Sequence, residues 1–213
     1  MWDRVTLGRL WRKCPGKRWG PGIRCGSIGV TYVYGNVLIK RDGGNNQVVH
    51  YGGDSGAPEA YRHGTLHFYH NTVISYRRRT TSLLRLSTEQ ETVEFHNNLV
   101  YATAGGSALA LMVNQGTLRM GRNGLPTGWR RSHTLFSGRI LGADQALLVE
   151  SPEFADVAGQ DFRPARGCPY VGAAGELPPF LRERLPVTHQ YVPHQQTKPR
   201  PEVHELGAFE RVE

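Results

Sequence analysis

The chain has 213 residues, enough for one ordinary domain with a core of its own. It is rich in glycine and modestly apolar, which suits many short strands and turns, and no run of eighteen apolar residues exists to span a membrane. The net charge of +8 lies mostly in residues 1–30, which hold seven Lys or Arg and one Asp, so the rest of the chain is nearly balanced.

The head, residues 1–30, reads unlike everything after it. Three of the four tryptophans and two of the three cysteines fall there. Its basic residues alternate with Gly, Pro and Trp and follow neither a helical nor a strand period, and no recognition helix or RNA-binding motif is present, so nucleic acid is not expected as a partner. Met1 to Cys14 has no apolar stretch of the kind an export signal needs. The head reads either as aberrant or displaced sequence in a truncated product or as a native cap over the first strand edges. Cys14, Cys25 and Cys168 fit no metal spacing and no disulfide framework.

Residues 31–150 carry a repeat. Thr31-Tyr32-Val33-Tyr34-Gly35-Asn36-Val37-Leu38 is spelled again, more sharply, at Leu66-His67-Phe68-Tyr69-His70-Asn71-Thr72-Val73 and at Val93-Glu94-Phe95-His96-Asn97-Asn98-Leu99-Val100. A looser copy sits at Leu118-Arg119-Met120-Gly121-Arg122-Asn123-Gly124-Leu125. The asparagines Asn36, Asn71, Asn98 and Asn123 are 35, 27 and 25 positions apart. Thirteen residues after each comes a second apolar position: Val49, Leu84, Leu111 and Phe136. Each period therefore holds at least two short strands with no room for a crossover helix, the pattern of a stacked solenoid. The long first interval reflects an inserted loop, roughly Asp54 to Arg62. The expected fold is all-β: a right-handed parallel β-helix of about four coils, with the asparagines stacked as a ladder at the inner side of a turn. Gly43-Gly44-Asn45-Asn46, Arg77-Arg78-Arg79 and Ala104-Gly105-Gly106-Ser107 are expected as equivalent turns.

Residues 151–213 are expected as an irregular tail packed on the coils, with a loosely packed excursion over 178–202 and a closing strand near Glu205 to Arg211. Pro152-Glu153-Phe154, Asp161-Phe162-Arg163-Pro164-Ala165-Arg166-Gly167-Cys168-Pro169 and Leu206-Gly207-Ala208-Phe209-Glu210, taken with the repeats, resemble the pectate-lyase-like β-helix proteins. More narrowly, they resemble the C-terminal portion of bacterial polysaccharide-degrading repeat proteins, over roughly residues 31 to 213. Cys168 stands where serine is usual in that family. The resemblance implies a polysaccharide partner, a monomer, and a secreted or periplasmic parent protein, although the chain itself shows no export address.

Alternation places chemistry on the outer faces. If Leu66 and Phe68 point inward, two outward columns follow: Tyr32, His67, Glu94, Arg119, and Tyr34, Tyr69, His96, Gly121. Aromatic rings with charged groups suit sugars, so Tyr34, His67, Tyr69, Glu94, His96 and Arg119 are candidate substrate-binding residues. His50-Tyr51-Gly52-Gly53-Asp54 is a strand running into a glycine-rich loop. His50 or Tyr51 is a candidate base and Arg85 a candidate neutraliser of a uronate carboxylate, while Asp54 can orient the histidine, take a proton or ligate a cation such as Ca2+. No HxH or HExxH spacing supports a protein-built metal site. The function expected is β-elimination on a uronate-containing glycan. The alternatives are a non-catalytic glycan-binding or structural β-helix and a glycoside hydrolase, for which a second suitably placed carboxylate is wanting. One groove lined by His50, Tyr51, Asp54, His67, Tyr69 and Arg85 is expected.

Overall fold

The computed structural model describes residues 11–13, 30–57, 61–168, 170–192, 196–200, 202 and 204–211, the first three by their backbone alone. Strand β1 (Trp11–Lys13) lies antiparallel along β2 (Val30–Tyr34). The other expectations for the head, and those for Pro58–Ala60 of the inserted loop, fall outside the described residues.

Three strands, one more than the minimum read from the sequence, make each of the first three repeats. The first is β2, β3 (Val37–Lys40) and β4 (Gln47–Tyr51); the second is β5 (Gly64–Tyr69), β6 (Thr72–Ser75) and β7 (Thr81–Leu86). The third is β8 (Glu91–His96), β9 (Leu99–Ala102) and β10 (Leu109–Asn114), followed by β11 (Thr117–Met120), β12 (Asn123–Leu125), β13 (Arg139–Leu141) and β14 (Ala146–Leu148). From β2 to β12 every third strand joins the same sheet. The first sheet runs β1-β2-β5-β8-β11-β13, the second β3-β6-β9-β12-β14 and the third β4-β7-β10, all parallel except at β1. The register is that of the sequence repeat: Phe68 pairs with Phe95, His67 with Glu94 and His50 with Arg85.

Asparagine fixes that register. Asn36, Asn71, Asn98 and Asn123 are all buried. The backbone N–H and the side-chain amide of Asn36 both donate to Asn71 Oδ1, at 3.1 and 3.0 Å. Asn71 does the same to Asn98 at 2.9 and 3.0 Å, and Asn98 to Asn123 at 2.8 and 2.9 Å. Each amide has a second proton, and it goes to a strand carbonyl: Tyr34, Val33, Phe68 and Phe95 in turn. The residue before the first three asparagines is left-handed: Gly35, His70 and Asn97 have φ of 67°, 49° and 53°. Asn and His are among the side chains that tolerate this region, and glycine enters it freely.

Inside, Phe68 and Phe95 stack at 5.4 Å within a core that also holds Leu66, Val93, Leu118, Leu84, Leu86 and Leu111. The inward assignment of Phe68 and Phe95 holds, and His67 and Glu94 are only half-buried on the other side. The fourth repeat departs from expectation. No strand forms at Leu135-Phe136, where Leu135 is fully exposed. Instead Arg130 bridges Ala110, with bonds from Arg130 and to its carbonyl, so the third sheet ends in a fragment.

The tail packs on the coils, although most of the described residues in 178–202 are exposed around buried Leu181, Val187, Gln190 and Arg200. A hairpin of β15 (Phe154–Asp156) and β16 (Asp161–Pro164), with Cys168, Tyr170, Leu206, Ala208 and Phe209, buries the outer side of the second sheet against Val37, Ile74 and Leu99. Residues 205–208 form bends and 209–211 are irregular, in place of the expected closing strand. Over 178–202, helix α1 (Pro179–Arg184) and the hairpin β17 (His189–Val192) with β18 (Gln196–Pro199) replace the expected excursion. Buried Arg200 clamps this tail. It bonds Glu210 and the carbonyls of Gly207 and Glu205. No helix among the described residues is long and apolar enough to cross a membrane.

Replacing Asn98 by Ala removes the acceptor of two Asn71 donors and one of the two donors to Asn123 Oδ1, so a loss on the order of 3 kcal/mol is expected in denaturant unfolding. Asn45→Ala, at an exposed turn, should change stability by less than about 0.5 kcal/mol.

His70 is buried at the seam of repeat and tail, accepting from the Asn97 amide, and burial with the nearby Arg200 pushes its pKa down to about 3. The unfolded chain takes up this proton near pH 6.5 and the folded one does not. Its contribution to stability is therefore complete above about pH 6.5 and is lost as pH falls towards 3. His70→Asn, with the residue type found at the equivalent position 97, should flatten the fall in melting temperature across that window.

Candidate functional site

The six residues expected in one groove lie in two places. On the third sheet, β4 and β7 set His50 and Arg85 side by side and facing out. Arg85 Nη1 lies 3.8 Å from Asp54 Oδ2, at the start of the inserted loop. Tyr51 does not join them. One residue beyond outward His50, it points into the core, and its hydroxyl is held by Thr31 Oγ1 and the His63 carbonyl, both at 3.4 Å. Burial raises its pKa.

His67 and Tyr69 belong to the first sheet, and the tail covers them. Tyr69 is fully buried and donates to the Leu185 carbonyl at 2.9 Å. Leu181, Val187, Leu177 and Leu185 pack on Tyr32, Tyr34 and Tyr69. The predicted columns are nonetheless real. Tyr34 stacks on Tyr69 at 4.9 Å and Tyr32 on His67 at 5.2 Å, with Phe180 of α1 against Tyr32 and His67. Sequence alternation identified an aromatic face correctly, but that face receives a helix of the chain itself.

The lower part of the same face stays open. Glu94 Oε2 lies 3.3 Å from His96 Nε2, and Glu94 Oε1 lies 3.6 Å from Arg119 Nε. The His96 hydrogen bond holds the Glu94 carboxyl below its usual range, aided by His67 and Arg119. Burial keeps His67 neutral against the pull of Glu94. His67, Glu94, His96 and Arg119 thus form a compact polar group, while Tyr34 and Tyr69 are withdrawn from it.

Around His50 the structure adds residues that alternation did not single out. Ser87 Oγ lies 2.9 Å from His50 Nε2 and accepts the Gly53 N–H at 3.0 Å, fixing the ring and the loop together. Gly52, at φ 115°, has no room for a Cβ, which would stand 2.5 Å from Ser87 Oγ. Behind them Glu91 is buried, accepting from the Thr88 N–H at 2.5 Å and its hydroxyl at 3.0 Å, with His63 Nδ1 at 3.0 Å. The spelling Thr88-Glu89-Gln90-Glu91 is a capping-box pattern, a signal that a carboxylate would turn back to backbone here. His50 is kept neutral first by desolvation and then by Arg85, with Asp54 and Glu91 opposing.

No protein-family model, curated protein or solved structure matches this chain significantly. Among the described residues no group of three or more His, Cys, Asp or Glu is arranged to hold a metal ion. Ionisable side chains converge on the outer faces at His50 with Arg85 and at the Glu94 group.

Replacing Arg85 with Gln removes a positive charge beside His50, so the His50 pKa should rise, as read by its ring-proton NMR titration. An unchanged or lower value would mean that burial alone sets it.

Proposed function

We propose that the three parallel sheets are the sides of a right-handed parallel β-helix of the pectate-lyase-like kind, and that the chain cleaves a uronate-containing polysaccharide by β-elimination. The observation that carries the reading is the pairing of His50 with Arg85 on neighbouring strands of the third sheet, outside the tail's cover. β-Elimination needs a neutral base near the proton α to a carboxylate and a cation at that carboxylate. His50, kept neutral by burial and Arg85, supplies the base. Arg85 supplies the cation, and Ser87 holds the imidazole in place. The proton moves from the sugar to the imidazole, the enolate-like charge rests on the carboxylate facing Arg85, and the glycosidic oxygen leaves as the double bond forms. Such polymers lie outside the cytoplasm, so a secreted or periplasmic site of action belongs to the proposal.

Binding without cleavage is the second reading. It is favoured by the Arg85–Asp54 contact, because a carboxylate already faces the guanidinium that a substrate would need. At 3.8 Å and with Asp54 largely exposed, the contact is weak, and a uronate can displace it. Hydrolysis fits less well, since Asp54 lies in the loop after β4 of the third sheet and Glu94 on β8 of the first.

Incubation with a panel of uronate polysaccharides, following unsaturated-product absorbance and reducing ends together, is the test. Both signals should rise, and His50→Ala and Arg85→Ala should each abolish them without lowering thermal stability appreciably. Reducing ends without absorbance would indicate hydrolysis, and neither signal would leave binding.

A further inference from the structure

The first two turns between the second and third sheets carry more positive than negative charge. In the first repeat the turn is Arg41 to Asn46, and in the second it is Tyr76 to Thr80. Between them is an open hollow of about 670 Å³, lined by Asp42, Gly43, Gly44, Arg77, Arg78 and Arg79. Arg77 is its fixed floor. Its Nη1 donates to the carbonyls of Gly43, Gly44 and Asn45 at 3.0, 3.4 and 3.3 Å, and its Nε donates to Thr80 at 3.2 Å. Four carbonyls hold this guanidinium in place but leave its charge uncancelled.

The one carboxylate in the hollow is Asp42, and Arg78 takes it: Nε donates to Oδ2 at 2.6 Å and the Arg78 N–H reaches Oδ1 at 3.4 Å. That hydrogen bond holds the Asp42 carboxyl below its usual range. Arg78 is still 89% exposed, with its terminal nitrogens beyond the bonded Nε. Arg79, the next residue of the turn, is exposed and also lines the hollow. Three arginines against one carboxylate leave a net positive hollow whose base is rigid, and planar guanidinium groups suit carboxylate and sulfate oxygens.

We propose that this hollow binds the carboxylate or sulfate groups of an acidic polysaccharide. Its lining favours a glycan over nucleic acid: it offers charge and glycine backbone but no aromatic ring, whereas single-stranded nucleic acid is held largely by stacking its bases on such rings. The gap between two adjacent turns is open to solvent, so a long polymer can lie across it without threading. The inference shares with the proposed function only the acidic glycan, and it requires no cleavage.

The test measures binding by calorimetry in the His50→Ala chain, so that any lyase activity cannot consume the ligand. The probes are an oligogalacturonate, a heparin-derived oligosaccharide, a neutral dextran oligomer and a single-stranded DNA of similar charge. One or both acidic oligosaccharides should bind, which tells carboxylate from sulfate, and affinity should fall steeply with added salt. Arg78→Gln with Arg79→Gln should weaken that binding tenfold or more at an unchanged melting temperature. Arg79→Gln alone, which leaves the Asp42 contact intact, should weaken it severalfold. Affinity within twofold of the parent in the double variant overturns the proposal, as does equal binding of neutral dextran or tighter binding of the DNA. Binding lost in the double variant with no lyase activity in the parent chain supports the hollow and removes only the cleavage.

Discussion

The asparagine ladder is the constraint on which the rest depends. A buried amide has two donors and an acceptor to satisfy, and unpaired polar atoms in a dry interior cost more than a hydrogen bond returns. Stacked asparagines answer this by bonding to one another, but only if successive repeats are parallel and in register. A slip of one residue would also turn Phe68 and Phe95 outward and His67 and Glu94 inward. The ladder and the phenylalanine column therefore enforce the same register from two sides of the strand. Among the described residues the ladder's first acceptor, Asn36 Oδ1, has no hydrogen-bond partner, whereas its three equivalents each take two donors from the repeat before.

The tail decides which outer face is free. Parallel sheets usually have both sides covered, and here the tail covers most of two. Phe154, Phe162, Tyr170 and Phe209 cover the second sheet, while Leu181 and Val187 cover the upper part of the first. The attachment is polar as well as apolar. Asn97 trades two bonds with Gly175, and Thr72 Oγ1 accepts from Ala208. His50 and Arg85 remain on the third sheet, and both candidate glycan sites, the His50 corner and the Arg77–Arg79 hollow, lie along its margins.

What the sequence revealed and what it hid follow from the range of the forces. Period, register and inward faces were legible because hydrophobic alternation and the recurring asparagine are local and repeated. The pairing of His50 with Arg85 was legible for the same reason, as a consequence of register. The burial of Tyr69 was not, because it depends on Leu185, 116 positions away, in a stretch whose Pro, Gln and charge conceal the few apolar residues that dock. The inward turn of Tyr51 was available from alternation with His50, and the loop's glycines drew attention away from it. Ser87 was missed because its role comes from a contact across two repeats, with Gly53. Leu135-Phe136 misled because two adjacent apolar residues look like a strand when nothing nearby shows that the stack is ending.

The central claim is that the repeats stack in parallel through Asn36, Asn71, Asn98 and Asn123. It is tested most directly by NMR on the chain isotope-labelled at asparagine, through contacts between side-chain amide protons. Slowly exchanging amides with cross-peaks from Asn36 to Asn71, Asn71 to Asn98 and Asn98 to Asn123 are the predicted result. Rapid exchange at these four positions, or contacts only to residues near in sequence, would contradict the stack and every site placed on it.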